Sequence, residues 1–170
     1  MMFNDPAETD DGVLVFELED EAATERLAER LAQAAHAGDV IALIGELGAG
    51  KTALARAFIR YLSDPDEEVP SPTFTLLQTY TCEAGEIYHF DLYRLEDPED
   101  AIELGIEDAF ADGITLIEWA DRLGDLLPAD RLDLKLAMGW GPSGRRATLR
   151  GHGRWMAKLA ESISEGAIHA

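Results

Sequence analysis

Cysteine is nearly absent: Cys82 stands alone among 170 residues, which rules out an intramolecular disulfide framework and suits a reducing compartment. Long apolar runs are missing too. The longest near the middle, Val40–Ile44, is far short of the roughly 20 residues that a membrane-spanning helix needs. The first residues, MMFNDPAETDDG, have neither the basic nor the apolar segment of a secretory leader, so a cytoplasmic protein without a membrane partner is expected. Basic residues are scarce, 14 Lys and Arg against 34 acids for a formal charge of −20. That balance excludes a surface-wide nucleic-acid binder but leaves a local basic patch open.

Hydrophobic residues make up 46% of the chain, enough for one domain over residues 1–170 to bury its own core. No repeat, low-complexity tract or Gly/Ser linker divides it. The charges are unevenly placed. Residues 1–25 hold no Lys or Arg, and residues 1–12 read as a loose acidic tail. Residues 134–160 hold no acid but carry Lys135, Arg145, Arg146, Arg150, Arg154 and Lys158. This basic stretch is either a face for RNA or an acidic partner, or a solvated hairpin and helix.

Hydropathy patterning predicts a strand at Val13–Leu18, then a helix capped by Asp20 and running to about His36 with Ala23, Leu27, Leu31 and Ala35 on one side. Val40–Ile44 reads as a strand buried on both faces, and Lys51–Leu62 as a helix with Leu54, Phe58 and Ile59 inward. Residues 65–72 read as loop. Two β-rich runs, 74–82 and 86–95, flank a hairpin turn at Glu83-Ala84-Gly85. A short helix is expected at 99–104, a turn at 107–110 and a buried strand at 114–117. Weaker strands at 132–138 and 146–149 precede a closing helix at 155–163. The order implies an α/β fold with a parallel core and a mixed sheet.

Gly45-Glu46-Leu47-Gly48-Ala49-Gly50-Lys51-Thr52 matches G-x-x-x-x-G-K-[ST] between a buried strand and an amphipathic helix, the context that this phosphate-binding loop requires. Its amides and the helix end favour phosphate, Lys51 can bridge the β- and γ-phosphates, and the Thr52 hydroxyl can ligate Mg²⁺. A carboxylate on the metal side is expected at the end of a neighbouring strand, and Glu118, after Ile114-Thr115-Leu116-Ile117, is the leading candidate. Asp91 is the second. In a strand, His89, Asp91 and Tyr93 share a face, which is either an inward polar cluster or the solvent side of a hairpin. Arg94 could pair a phosphate or a surface acid. Ser71-Pro72-Thr73-Phe74 reads as a switch-like segment or an ordinary proline turn. Trp119 could fill the core or report on a bound nucleotide, and residues 20–24 are a place to look for the adenine pocket.

These stretches together resemble the TsaE family, the YjeE-type ATPases of bacterial tRNA modification. The resemblance rests on the phosphate loop, Ser71-Pro-Thr-Phe-Thr-Leu76, His89-Phe-Asp-Leu-Tyr-Arg94, Glu103-Leu-Gly-Ile-Glu107 and Leu116-Ile-Glu-Trp119, over about residues 13–120. It implies a three-layer P-loop NTPase fold with a mixed, partly parallel sheet. It also implies a role in forming threonylcarbamoyladenosine in tRNA, beside a TsaD–TsaB pair that carries out the transfer and whose repeated turnover ATP hydrolysis supports. By that resemblance Lys51 and the loop from Gly45 to Thr52 hold ATP or ADP, Thr52 and Glu118 hold Mg²⁺, and Asp91 is a catalytic or water-positioning acid. Ser71 and Thr73, with His89 and Arg94, become switch or partner residues, and tRNA is reached directly or through the complex. Ala53 and Ala120 depart from the family's usual Thr and Pro without removing a ligand. Rival readings are a small-molecule kinase, with Arg145 and Arg146 as its lid arginines, and a nucleotide-gated binding module.

Overall fold

The computed structural model describes residues 7–8, 12–46 and 48–164. The tail expected at 1–12 falls outside these apart from Ala7, Glu8 and Gly12, and Leu47 of the phosphate loop also falls outside. Among the described residues, eight strands form one mixed sheet. They are β1 (Ala7–Glu8), β2 (Val13–Leu18), β3 (Val40–Ile44), β4 (Leu77–Cys82), β5 (Gly85–Asp91), β6 (Ile114–Glu118), β7 (Arg131–Met138) and β8 (Arg145–His152), in the order β1-β2-β8-β7-β3-β6-β5-β4. Strands β7, β3, β6 and β5 run parallel at the centre, and antiparallel pairs close both ends.

Helix α1 (Glu21–Ala34) begins where the Asp20 carboxylate accepts from the Ala23 amide at 2.9 Å, and it buries Ala23, Leu27 and Leu31. With α2 (Lys51–Leu62) it covers one sheet face through a core that includes Phe16, Leu43, Phe58 and Ile59. Among the described residues, the opposite face is covered over β3, β6 and β5 only, where α3 (Glu99–Glu103), α4 (Ile106–Asp112) and a 3-10 segment (Ala120–Leu126) enclose Ala42, Phe90, Ile106, Ile117 and Leu123. The architecture is therefore three-layered α/β, as expected. No described helix is long and apolar enough to cross a membrane.

Several local expectations are corrected. Strand β4 starts at Leu77 and not at 74, because residues 72–75 turn and Leu76 adopts a left-handed φ of 67°. Strand β5 ends at Asp91 and not at 95, so Tyr93 leaves the face it was expected to share with His89 and Asp91. Residues 107–110 lie within helix α4 and not in a turn, with Ile106 and Ala109 buried. The hairpin turn is only Glu83-Ala84, since Gly85 already pairs with Cys82. Residues 155–163 form α5 (Arg154–Lys158) and then a π-helical turn, Leu159–Ser164.

The basic stretch does not form one face. Lys135, Arg146 and Arg150 line the uncovered side of the sheet, where Arg146 pairs with Glu17 at 2.6 Å. Arg154 and Lys158 turn instead toward Asp130 and the buried Asp39. Asp39 accepts from the His36 amide at 2.7 Å and pairs with Lys158, tying the C-terminal helix to the start of β3. Asp39→Ala is expected to lower stability by about 1–3 kcal/mol, because the His36 amide loses its acceptor and the Lys158 ammonium loses its carboxylate partner, although Lys158 keeps the Ala34 carbonyl. Urea unfolding checks this, and a change below about 0.5 kcal/mol would show that the tie is unimportant.

Candidate active site

Parallel strands β3, β6 and β5 all end at the same edge of the sheet, which is where ligands bind in open α/β folds. From β3 the chain enters the glycine loop. A Cβ on Gly45 would stand 2.6 Å from the Leu136 carbonyl oxygen, so β7 leaves room only for glycine there. Gly50 caps α2 in a left-handed conformation (φ 101°), and among the described residues no side chain caps that helix end. The amides at the head of α2 therefore remain available to an anion.

Lys51 is buried and folds back over the loop, where its ammonium donates to the Gly45 and Glu46 carbonyls, the latter at 3.2 Å. It also lies 4.2 Å from the centroid of the Trp119 ring. Desolvation holds its pKa below that of an ordinary lysine, and the negative charges of Glu118, Asp91 and Asp121 offset this in part. Trp119 reaches this position because, directly after β6, it takes a left-handed φ of 61°, uncommon for a bulky residue.

The Thr52 hydroxyl donates to Glu118 Oε1 at 3.0 Å. The other oxygen, Oε2, is 2.7 Å from His89 Nε2. A carboxylate only accepts, so His89 carries its proton on Nε2 toward Glu118. His89 is fully buried, and among the described residues its Nδ1 has no hydrogen-bond partner. Asp91 stands opposite Glu118 in the β5–β6 register and is also buried. Its Oδ1 accepts from the Tyr93 amide at 3.0 Å, and its Oδ2 accepts from the Thr73 hydroxyl at 2.9 Å. Because the one proton of Thr73 points at Asp91, Ser71, 2.7 Å away, is the donor to Thr73. The exposed Ser71 is thus connected to a buried acid through two hydrogen bonds.

These groups line one cleft of about 320 Å³ that includes Lys51, Thr52, Ser71, Thr73, Asp91 and Glu118. The fold brings Lys51, Thr52, Asp91, Glu118, Ser71 and Thr73 together. Arg94 is not among the residues lining the cleft, and its guanidinium lies 4.5 Å from the centroid of the Phe74 ring. A second hollow of about 210 Å³ adjoins the loop between Glu21, Thr24, Gly50, Ala53, Pro142 and Arg145.

Arg145 has a place at the loop that its sequence position did not reveal. It donates to the Ala49 carbonyl at 3.0 Å and to the Gly48 carbonyl at 3.2 Å, bracing the phosphate loop from the β7–β8 hairpin. No local pattern announces a contact across 96 residues. Only the return of β8 beside β7 creates it.

The family model described as "Threonylcarbamoyl adenosine biosynthesis protein TsaE" matches residues 18–146. A Rickettsia conorii protein named "tRNA threonylcarbamoyladenosine biosynthesis protein TsaE" is 43% identical over 119 residues, covering 70% of this chain and 68% of the relative. A Bacillus subtilis protein of the same name is 35% identical over 142 residues, covering 83% and 87%. The crystal structure of Bacillus subtilis YdiB aligns with a TM-score of 0.74 at 28% identity, over 98% of each chain. With the glycine loop, its Thr52–Glu118 contact and the Ser71–Thr73–Asp91 connection in place, the chain belongs to the TsaE family.

Proposed function

We propose that this chain is a Mg²⁺-dependent ATPase of the cytoplasm that serves threonylcarbamoyladenosine formation in tRNA, where it binds a TsaD–TsaB pair and supports its repeated turnover. The names of its relatives support the pathway. The observation that supports the chemistry is the meeting of Thr52, Glu118 and Asp91 beside Lys51 in one cleft. Two buried carboxylates adjacent in register face one buried ammonium, an imbalance that a divalent cation would relieve. The donors, a hydroxyl and a carboxylate, are the hard oxygens that Mg²⁺ takes. Among the described residues no three His, Cys, Asp or Glu side chains converge to hold a metal, so phosphate and water would complete the coordination.

In this reading the α2 amides and Lys51 hold the phosphates, and Lys51 exchanges the loop carbonyls for phosphate oxygens as they arrive. The nucleoside extends toward the hollow between Thr24 and Pro142. Thr52 and Glu118 would hold Mg²⁺, which would supply positive charge against the phosphates of the nucleotide. Asp91 orients the attacking water, and the Ser71–Thr73 segment reports on the γ-phosphate. A kinase reading is less favoured, because Arg145 is engaged by the loop carbonyls and Arg146 by Glu17.

The test is ATP hydrolysis by the purified chain with Mg²⁺, alone and with its TsaD–TsaB pair and tRNA. Stimulation by the pair that disappears in Lys51→Ala is expected. Slow hydrolysis indifferent to the pair would leave the nucleotide site and remove the pathway role.

A further inference from the structure

Beside the catalytic cleft lies a group of aromatic and arginine side chains that the hydrolytic chemistry does not use. Phe74 is 79% exposed, and the Arg94 guanidinium lies 4.5 Å from its ring centroid. The next residue back, Tyr93, is also exposed, with Arg122 6.0 Å from its ring centroid and Trp119 4.9 Å away, centroid to centroid. Among the described residues neither guanidinium takes part in an ion pair, although the chain carries a net charge of −20. Exposed aromatics interleaved with arginines that lack an anion match the composition of binding hot spots. The patch is also continuous with the site. Phe74 follows Thr73, whose hydroxyl holds Asp91, and Leu76 just beyond is a non-glycine residue at φ 67°.

We propose that Phe74, Tyr93, Arg94 and Arg122 form the surface that docks the protein partner, with Phe74 entering an apolar socket bordered by carboxylates that meet Arg94 and Arg122. This deepens the reading given above and rests on it, since the partner is the TsaD–TsaB pair. Phe74 drawn into a socket carries Thr73 with it, and Thr73 sets the position of Asp91. Docking and hydrolysis are thereby coupled through one residue step and one hydrogen bond. A free guanidinium stacked on an aromatic ring is already partly desolvated, which lowers the cost of bringing it against a partner's carboxylate.

The experiment measures the affinity of the purified TsaD–TsaB pair for the wild-type chain, Phe74→Ala and Arg94→Glu, with ATP and Mg²⁺ present. ADP affinity and unstimulated hydrolysis are measured alongside. Phe74→Ala is expected to bind the pair about tenfold more weakly or worse and to lose stimulation, while ADP affinity and unstimulated hydrolysis stay within about twofold. Arg94→Glu should weaken pair binding at least as much, and it gives an independent result if Phe74→Ala proves poorly folded. Unchanged pair affinity in both variants, with the wild type binding, overturns this inference alone. Failure of the wild type to bind the pair overturns the pathway reading and this inference with it. The affinity of each variant for tRNA is measured in parallel, and its loss with pair affinity intact assigns the patch to RNA and overturns protein docking.

Discussion

Glu118→Gln is expected to retain ATP binding without Mg²⁺ and to lose hydrolysis by about 10²–10³-fold. The substitution preserves shape, so Thr52 keeps an oxygen to donate to if the amide oxygen faces it. The amide nitrogen then meets His89 Nε2, 2.7 Å from the native oxygen, as a second donor. His89 can answer by moving its proton to Nδ1, which has no partner of its own. The fold should therefore survive at modest cost, about 1 kcal/mol, while the negative charge that would draw the cation is gone. Titration of ATP with and without Mg²⁺ separates the two effects. The wild type should gain affinity from Mg²⁺, and the variant should gain little. If the variant hydrolyses ATP within tenfold of the wild type, Glu118 is not the acid on the metal side.

That expectation depends on a contact between residues 66 positions apart, of which the sequence carried only the two ends. Lys51 and Thr52 were legible because the phosphate loop is a local pattern whose glycines, lysine and hydroxyl act within eight residues. Glu118 and Asp91 were legible as acids at the ends of apolar strands, though nothing local said that β5 and β6 would pair in a register placing them side by side. The three-layer architecture followed from the alternation of elements. Where the structure departs from the sequence pattern, local signals compete. The run from 74 looked continuous in β propensity, yet the chain turns there so that Thr73 reaches Asp91. Helix α4 buries only Ile106 and Ala109 and is rich in acids, so its apolar period was too short to register as a helix. The brace from Arg145 was invisible because it exists only once the β7–β8 hairpin is folded against β3.

Asp91 poses the sharper mechanistic question, because both its oxygens already accept hydrogen bonds, from Thr73 and from the Tyr93 amide. It can act on the attacking water, or it can merely anchor the Ser71–Thr73 segment. Two substitutions separate these roles. Thr73→Val keeps the carboxylate and removes the anchoring donor. Asp91→Asn keeps an acceptor for the Tyr93 amide and removes the charge, and the Thr73 hydroxyl can turn to accept from the new amide. If Asp91 orients water, Asp91→Asn should lower kcat by about 10²-fold or more with KM little changed, and Thr73→Val by only about tenfold. If Asp91 is an anchor, Thr73→Val should match or exceed the Asn variant, and stimulation by the TsaD–TsaB pair should fall in both. The buried position of Asp91 opposite Glu118 favours the first outcome. A carboxylate that served only to hold an exposed turn would need no place beside Glu118, where its charge would add to a repulsion that only a bound cation would offset.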